Sequence, residues 1–191
     1  INFFKKNITT EYKVLIDVGA HKGETVSNFL KNFKIKNTYS FEASAATYQS
    51  LMKNIKKLKD RYKDTNIEIF NNAVGDSNEK KIFNELPDSN SSTFNLIDQT
   101  SSYFRRKNKI MSFFFKKEFI IKKNYVPQIK LSDFIKKKNI INIDILKIDT
   151  EGYEYEVLKG LEENIQLVNF VYFEHHYDNM IKKNYKFSEI H

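Results

Sequence analysis

The sequence predicts an α/β fold, a mostly parallel sheet flanked by helices. Short apolar runs alternate along the chain with stripes of helical period, and each run ends in a carboxylate or amide. Such alternation implies parallel strands joined by right-handed crossovers. The length of 191 residues fits one domain. With 40% hydrophobic and 15% aromatic residues, general disorder is excluded.

The elements follow in order. Val14, Leu15 and Ile16, running into Asp17-Val18-Gly19, read as a strand buried on both faces. Val26, Phe29, Leu30 and Phe33 fall on one helix face. Thr38–Phe41 is a second strand, ending at Glu42, and Ser44 can cap the next helix. Tyr48, Leu51, Met52, Ile55 and Leu58 give that helix its apolar stripe. Ile67–Phe70 is a third strand, closed by Asn72-Ala73-Val74-Gly75-Asp76. Lys81–Glu85 is a further strand candidate, and Pro87–Asn95 is polar and turn-rich. Tyr103–Tyr125 mixes aromatics and lysines without a clean period and reads as an insertion or lid. A short helix at Leu131–Ile135 follows, with Ser132 as its expected cap. Ile143–Ile148 is a fourth strand, ending at Asp149-Thr150-Glu151-Gly152. Val157, Leu158, Leu161 and Ile165 mark the last helix. Val168–Phe173 is the fifth strand, ending at Glu174-His175-His176.

Composition removes several function classes. Cysteine is absent, which excludes disulfides, thiolate zinc sites and a cysteine nucleophile. No apolar run reaches about 18 residues, so no membrane span is expected. No signal peptide is visible, and the cytoplasm is the default address. The chain starts at Ile1, which suggests a fragment or a processed product. A net charge of +8 fits a polyanion partner, but the lysines are dispersed, as codon bias would place them. Phe104–Lys107 and Phe113–Lys117 interleave aromatic and basic residues, a composition open to single-stranded nucleic acid, to a membrane surface or to simple packing.

Candidate chemistry gathers at the strand ends, where open α/β sheets bind ligands. Asp17, Glu42, Asn72, Asp149 and Glu174 all fall there. The first turn, Gly19-Ala20-His21-Lys22-Gly23, lacks the middle glycine of a dinucleotide turn, and Glu24 then opens the helix where a phosphate would sit. A nucleoside without a pyrophosphate suits it better. Glu42 stands where an acid can accept from both hydroxyls of a ribose. His21 is either a ligand contact or a structural histidine. Asp149 and Glu151 can take a proton, hold a divalent cation such as Mg2+, or cap the helix near Tyr153. Glu174 and His175 are the second pair of candidates for proton handling.

Asp17–Gly23, Phe41-Glu42-Ala43, Ala73-Val74-Gly75, Leu146–Glu154, Val157–Gly160 and Tyr172-Phe173-Glu174 together resemble the FkbM family of S-adenosylmethionine-dependent methyltransferases, as does the pair Ser91-Ser92. The resemblance implies a Rossmann-like class I methyltransferase fold and O-methylation of a hydroxyl on a sugar, glycan or secondary metabolite. It implies a small-molecule or glycan acceptor, with nucleic acid disfavoured. It implies Gly19, Ala20 and Gly23 along the methionine and ribose, Asp17 near the amino group, Glu42 on the ribose, and Asn72, Ala73 and Val74 at the adenine, with Ala43 beside them. Asp149, Glu151 and Glu154 would stand near the methyl group. Two departures are visible: His21 stands where the family more often has Asn, and the last two strands of that fold are missing or incomplete. A nucleic-acid methyltransferase and an inactive binding module are the rival readings.

Overall fold

A computed structural model describes residues 1, 3–4, 11–87, 92–115, 120–174, 180–183 and 185–190. Five strands form its central sheet: β1 (Glu11–Val18), β2 (Lys34–Phe41), β3 (Asn66–Phe70), β8 (Ile143–Ile148) and β9 (Val168–Phe173). Their order is β3-β2-β1-β8-β9, and every pair is parallel. The register puts Phe70, Phe41, Val18, Ile148 and Phe173 in one row across the sheet. The residue that follows each therefore emerges at the same level. That row is what assembles the site.

Helices cover both faces. On one face lie α1 (Glu24–Asn32) and α2 (Ala45–Arg61), whose Val26, Phe29, Leu30, Leu51 and Ile55 pack on Leu15, Ile35, Ile67 and Ile145. On the other lies α4 (Leu131–Lys138), with Leu131, Phe134 and Ile135 on Val14, Ile16, Phe41, Leu146 and Ile148. Val157 of α5 (Glu154–Lys159) joins that second core. Ser44 caps α2 as expected, accepting from Thr47 N at 3.2 Å. Ser132 does not cap α4: it lies inside the first turn, and Lys130 holds the cap position. Met52 is 37% and Ile165 44% exposed, so neither belongs to the stripe its spacing suggested. For Ile165 the reason is local: the chain leaves α5 at Gly160 and continues as a 3-10 turn over Glu162–Leu167.

The middle of the chain builds a separate layer. β4 (Ala73–Val74) pairs parallel with β7 (Lys122–Ile129), and β5 (Lys80–Glu85) pairs antiparallel with β7. The stretch Tyr103–Tyr125, read as an insertion or lid, holds all but the first residue of α3 (Ser102–Phe115) and the start of β7. Phe104 of α3 packs with Leu86, Met180 and Ile181 in a small core of its own. A two-residue ladder ties β6 (Leu96–Ile97) to β10 (Ile181–Lys182). Among the described residues nothing after β9 joins the central sheet, so β9 is its edge.

Two sequence blocks meet at a point away from the cleft. A Cβ on Gly160, at the end of α5, would lie 2.0 Å from the carbonyl oxygen of Gly75. The pair closes the junction between the β4 turn and α5. Ser132 N donates to Gly160 O at 2.9 Å, and Gly75 N to Ile129 O at 3.0 Å.

Candidate active site

The strand order reverses between β1 and β8, and open α/β sheets place their ligand crevice at such a point. A cleft of about 470 Å³ opens there. Gly19 turns the chain out of β1 with φ +74°, and a Cβ on it would lie 1.8 Å from Asp149 O. Only glycine allows the two loops to meet so closely. The turn is then fixed by backbone: Gly19 N and Ala20 N both donate to Phe41 O, at 3.0 and 2.9 Å. His21 takes a left-handed φ of 48°, which His and Asn tolerate better than most side chains. Either histidine or asparagine suits such a position.

Glu42 is the anchor of the turn. Its Oε2 accepts from His21 N at 2.8 Å and its Oε1 from Ser44 N at 2.9 Å. Asn71 braces the same corner by donating to Glu42 O at 2.8 Å. Burial raises the Glu42 carboxyl to about 7, with the two backbone donors pulling the other way. Each oxygen keeps a lone pair for a hydroxyl donor.

Beneath the cleft floor Asp17 is fully buried. Its Oδ1 pairs with Lys147 Nζ at 3.2 Å, and neither oxygen accepts a well-aligned hydrogen bond among the described residues. Burial pushes this carboxyl up, and Lys147 partly offsets that. The Lys147 ammonium also lies 3.5 Å from Asp149 Oδ2 and donates to Gly19 O at 2.7 Å. Burial alone would lower this lysine, but Asp17 and Asp149 outweigh it and its pKa is raised.

The loop after β8 is held by side chains. Glu151 and Gly152 are successive left-handed residues, with φ of 52° and 93°. Thr93 Oγ1 donates to Glu151 O at 2.7 Å, and Asn95 Nδ2 donates to Gly152 O at 2.5 Å. Glu154 Oε1 accepts from Thr150 N at 3.2 Å and from Gly152 N at 2.9 Å, and its Oε2 accepts from Tyr185 OH at 2.6 Å. Glu154 is fully buried and does not line the cleft, so its expected place beside a methyl group is corrected: it buckles the loop.

A profile of the methyltransferase FkbM domain matches residues 17–191. The chain belongs to the FkbM methyltransferase family. The crystal structure of methyltransferase FkbM from Methylobacillus flagellatus superposes with a TM-score of 0.54 at 15% identity. That match covers 86% of this chain and 33% of the other, so this FkbM chain spans about a third of that protein's length. The likeness is one of fold, an α/β Rossmann-like sheet flanked by helices. No curated protein matches the chain.

Most of the residues expected at this FkbM site come together. Gly19, Ala20, His21, Glu42, Ala43, Asn72, Ala73, Val74, Asp149, Glu151 and Glu174 all line the cleft. Asp17 lies under it. Gly23 does not line it: its φ of 90° makes it the N-cap of α1, and its Cα faces Leu51 and Ile55 in the core. His175 and Ser91 lie outside the described residues. The expected Mg2+ gains no support, since among the described residues no three His, Asp or Glu side chains converge to hold a metal. Lys147 already supplies a fixed cation beside Asp149. Sequence reasoning missed Lys147, Thr25, Phe83, Phe94 and Thr150, which also line the cleft. Lys147 had a signal, being a lone cation inside an apolar strand. No helix among the described residues is long and apolar enough to cross a membrane.

Proposed function

We propose that the chain transfers a methyl group from S-adenosylmethionine to a hydroxyl of a sugar, glycan or related small molecule. The observation that carries this reading is Glu42: a buried carboxylate at the end of β2, oriented by two backbone donors, facing a cleft at the switch point. Two further features fit the cofactor. Asp17, fully buried beneath the floor beside Lys147, sets negative charge below the place that a ligand's ammonium group would take. Gly19 lets the turn after β1 close onto the loop after β8, which brings the two walls of the cleft together.

In this reading Glu42 accepts from the ribose hydroxyls, and Gly19, Ala20 and His21 border the methionine and ribose. Asn72, Ala73 and Val74 border the adenine, with Ala43 beside them, and Asp17 with Lys147 fixes the charge below. S-adenosylmethionine, when bound, supplies an electrophilic methyl group, so the chain's main task is positioning. An acceptor hydroxyl must also lose its proton. Asp149, Glu151 and Glu174 all line the cleft and are the candidate acceptors for it. Lys147 holds the Asp149 carboxylate in place at 3.5 Å.

Calorimetric titration with S-adenosylhomocysteine tests the cofactor site. Wild type binds, and Glu42→Ala weakens binding by about tenfold or more, since the charge-assisted hydrogen bonds to both ribose hydroxyls are lost. A folded wild type that binds no S-adenosylhomocysteine ends the proposal. Given binding, methyl transfer that persists in Asp149→Asn, Glu151→Gln and Glu174→Gln alike removes all three as the proton acceptor.

A further inference from the structure

Helix α3 carries a pattern that methyl transfer does not use. Its fourteen residues, Ser102–Phe115, include Arg105, Arg106, Lys107 and Lys109 and no acid. Phe104 moors the helix in the small core with Leu86, Met180 and Ile181. At 100° per residue, Tyr103, Arg106, Ile110 and Phe113 share an arc of about 80°, and Phe113 lies opposite Phe104. Arg105 and Lys109 flank that arc on one side and Lys107 on the other. The apolar members are open to solvent: Tyr103 and Ile110 are each 47% exposed, and Phe113 is 79%.

Cations interleaved with apolar tips on a solvent-facing helix suit the headgroup and acyl boundary of a bilayer. The cations alone would also suit nucleic acid. Ile110 decides between them, because an exposed aliphatic side chain has no base to stack on and no hydrogen bond to give, whereas hydrocarbon takes it readily. The charge is complementary to an anionic lipid surface, and the overall +8 adds long-range attraction. We propose that α3 docks the protein on an anionic membrane surface, with Arg105, Arg106, Lys107 and Lys109 on lipid phosphates and Tyr103, Ile110 and Phe113 in the interface. The helix lies on the bilayer and does not cross it. Asn95, seven residues ahead of α3 in the chain, donates to Gly152 O in the loop at the cleft.

Vesicle sedimentation tests this without reference to the cofactor. The purified chain is spun with phosphatidylcholine vesicles and with vesicles in which a third of the lipid is phosphatidylglycerol. The expected result is binding to the anionic vesicles that is absent on the neutral ones and falls with added salt. The double variant R105E/R106E weakens it by at least ~tenfold. Phe113→Ser weakens it less, by a few-fold, and lowers its resistance to salt. Both variants change exposed positions, and an unchanged melting temperature confirms that they fold. No binding to anionic vesicles overturns the proposal, as does binding unaffected by both variants. Displacement of the vesicles by single-stranded RNA through Arg105 and Arg106 overturns it in favour of nucleic acid.

Discussion

The turn after β1 and the loop after β8 face each other across the cleft and are built on opposite plans. The first is set by the backbone. Gly19 and Ala20 hang from one carbonyl of β2, and one carboxylate from the same strand end holds His21 N. The second is set by side chains: Thr93 and Asn95 from the remote middle layer, and the neighbouring Glu154 of α5, itself held by Tyr185 from the C-terminal segment. A backbone-set turn can be read from its own residues. A side-chain-set loop depends on partners 57 and 31 residues away, the separations of Asn95 from Gly152 and Tyr185 from Glu154. The first holds a shape that a cofactor finds ready. The second holds Glu151 and Gly152 while the middle layer that clamps them stays docked.

The largest effect should come from adding a side chain to the backbone-set turn. Gly19→Ala places a Cβ 1.8 Å from Asp149 O at a left-handed φ. It should cost about 4 kcal/mol or more and show as a large fall in melting temperature. Next is Glu154→Ala, which leaves Thr150 N, Gly152 N and Tyr185 OH without their acceptor. We expect about 3 kcal/mol, measured by urea unfolding, with faster hydrogen exchange at Thr150 and Gly152. Equal exchange in both proteins would show that the clamp does not hold the loop.

Titration of Glu42 comes third. The folded protein releases this proton at about 7 and the unfolded chain near 4.5. Its contribution to stability is therefore complete below pH 4.5 and is lost as pH rises to 7, by at most about 3 kcal/mol. Melting temperatures of the ligand-free protein across that range should fall, and Glu42→Gln should flatten the fall. Affinity for S-adenosylhomocysteine should rise over the same range, because only the ionised carboxylate accepts both ribose hydroxyls. Asn95→Ala is smaller, about 2 kcal/mol, from the abandoned carbonyl of Gly152. The smallest is His21→Asn. It keeps a residue that tolerates a left-handed φ, so stability should move by less than about 0.5 kcal/mol.

Much of the sheet was legible because its strands are continuous apolar runs. Ile143–Ile148 and Val168–Phe173 were read to the residue. β7 was not, because Lys122–Tyr125 are all exposed and its pairing with β5 lies about forty residues back in the chain. Helix α3 hid for a related reason: its outer face carries aromatics and cations together, which erases the stripe that marks a helix. At the site, the acids were legible as strand ends, since the register brings those ends level. Glu154 was legible as an acid but not as a buried one. Its donors are loop amides and a phenol from the far end of the chain, and no local pattern announces them.

The contact between Gly160 and Gly75 bears on how this family's sequences can be compared. What a side chain at position 160 would strike is a backbone carbonyl, and every amino acid at position 75 carries one. No replacement at 75 can make room, so the two positions have no compensating pair of changes to offer. Methods that find contacts by correlated substitution are blind to such a junction. It will register as an invariant column with no partner, although the two residues touch.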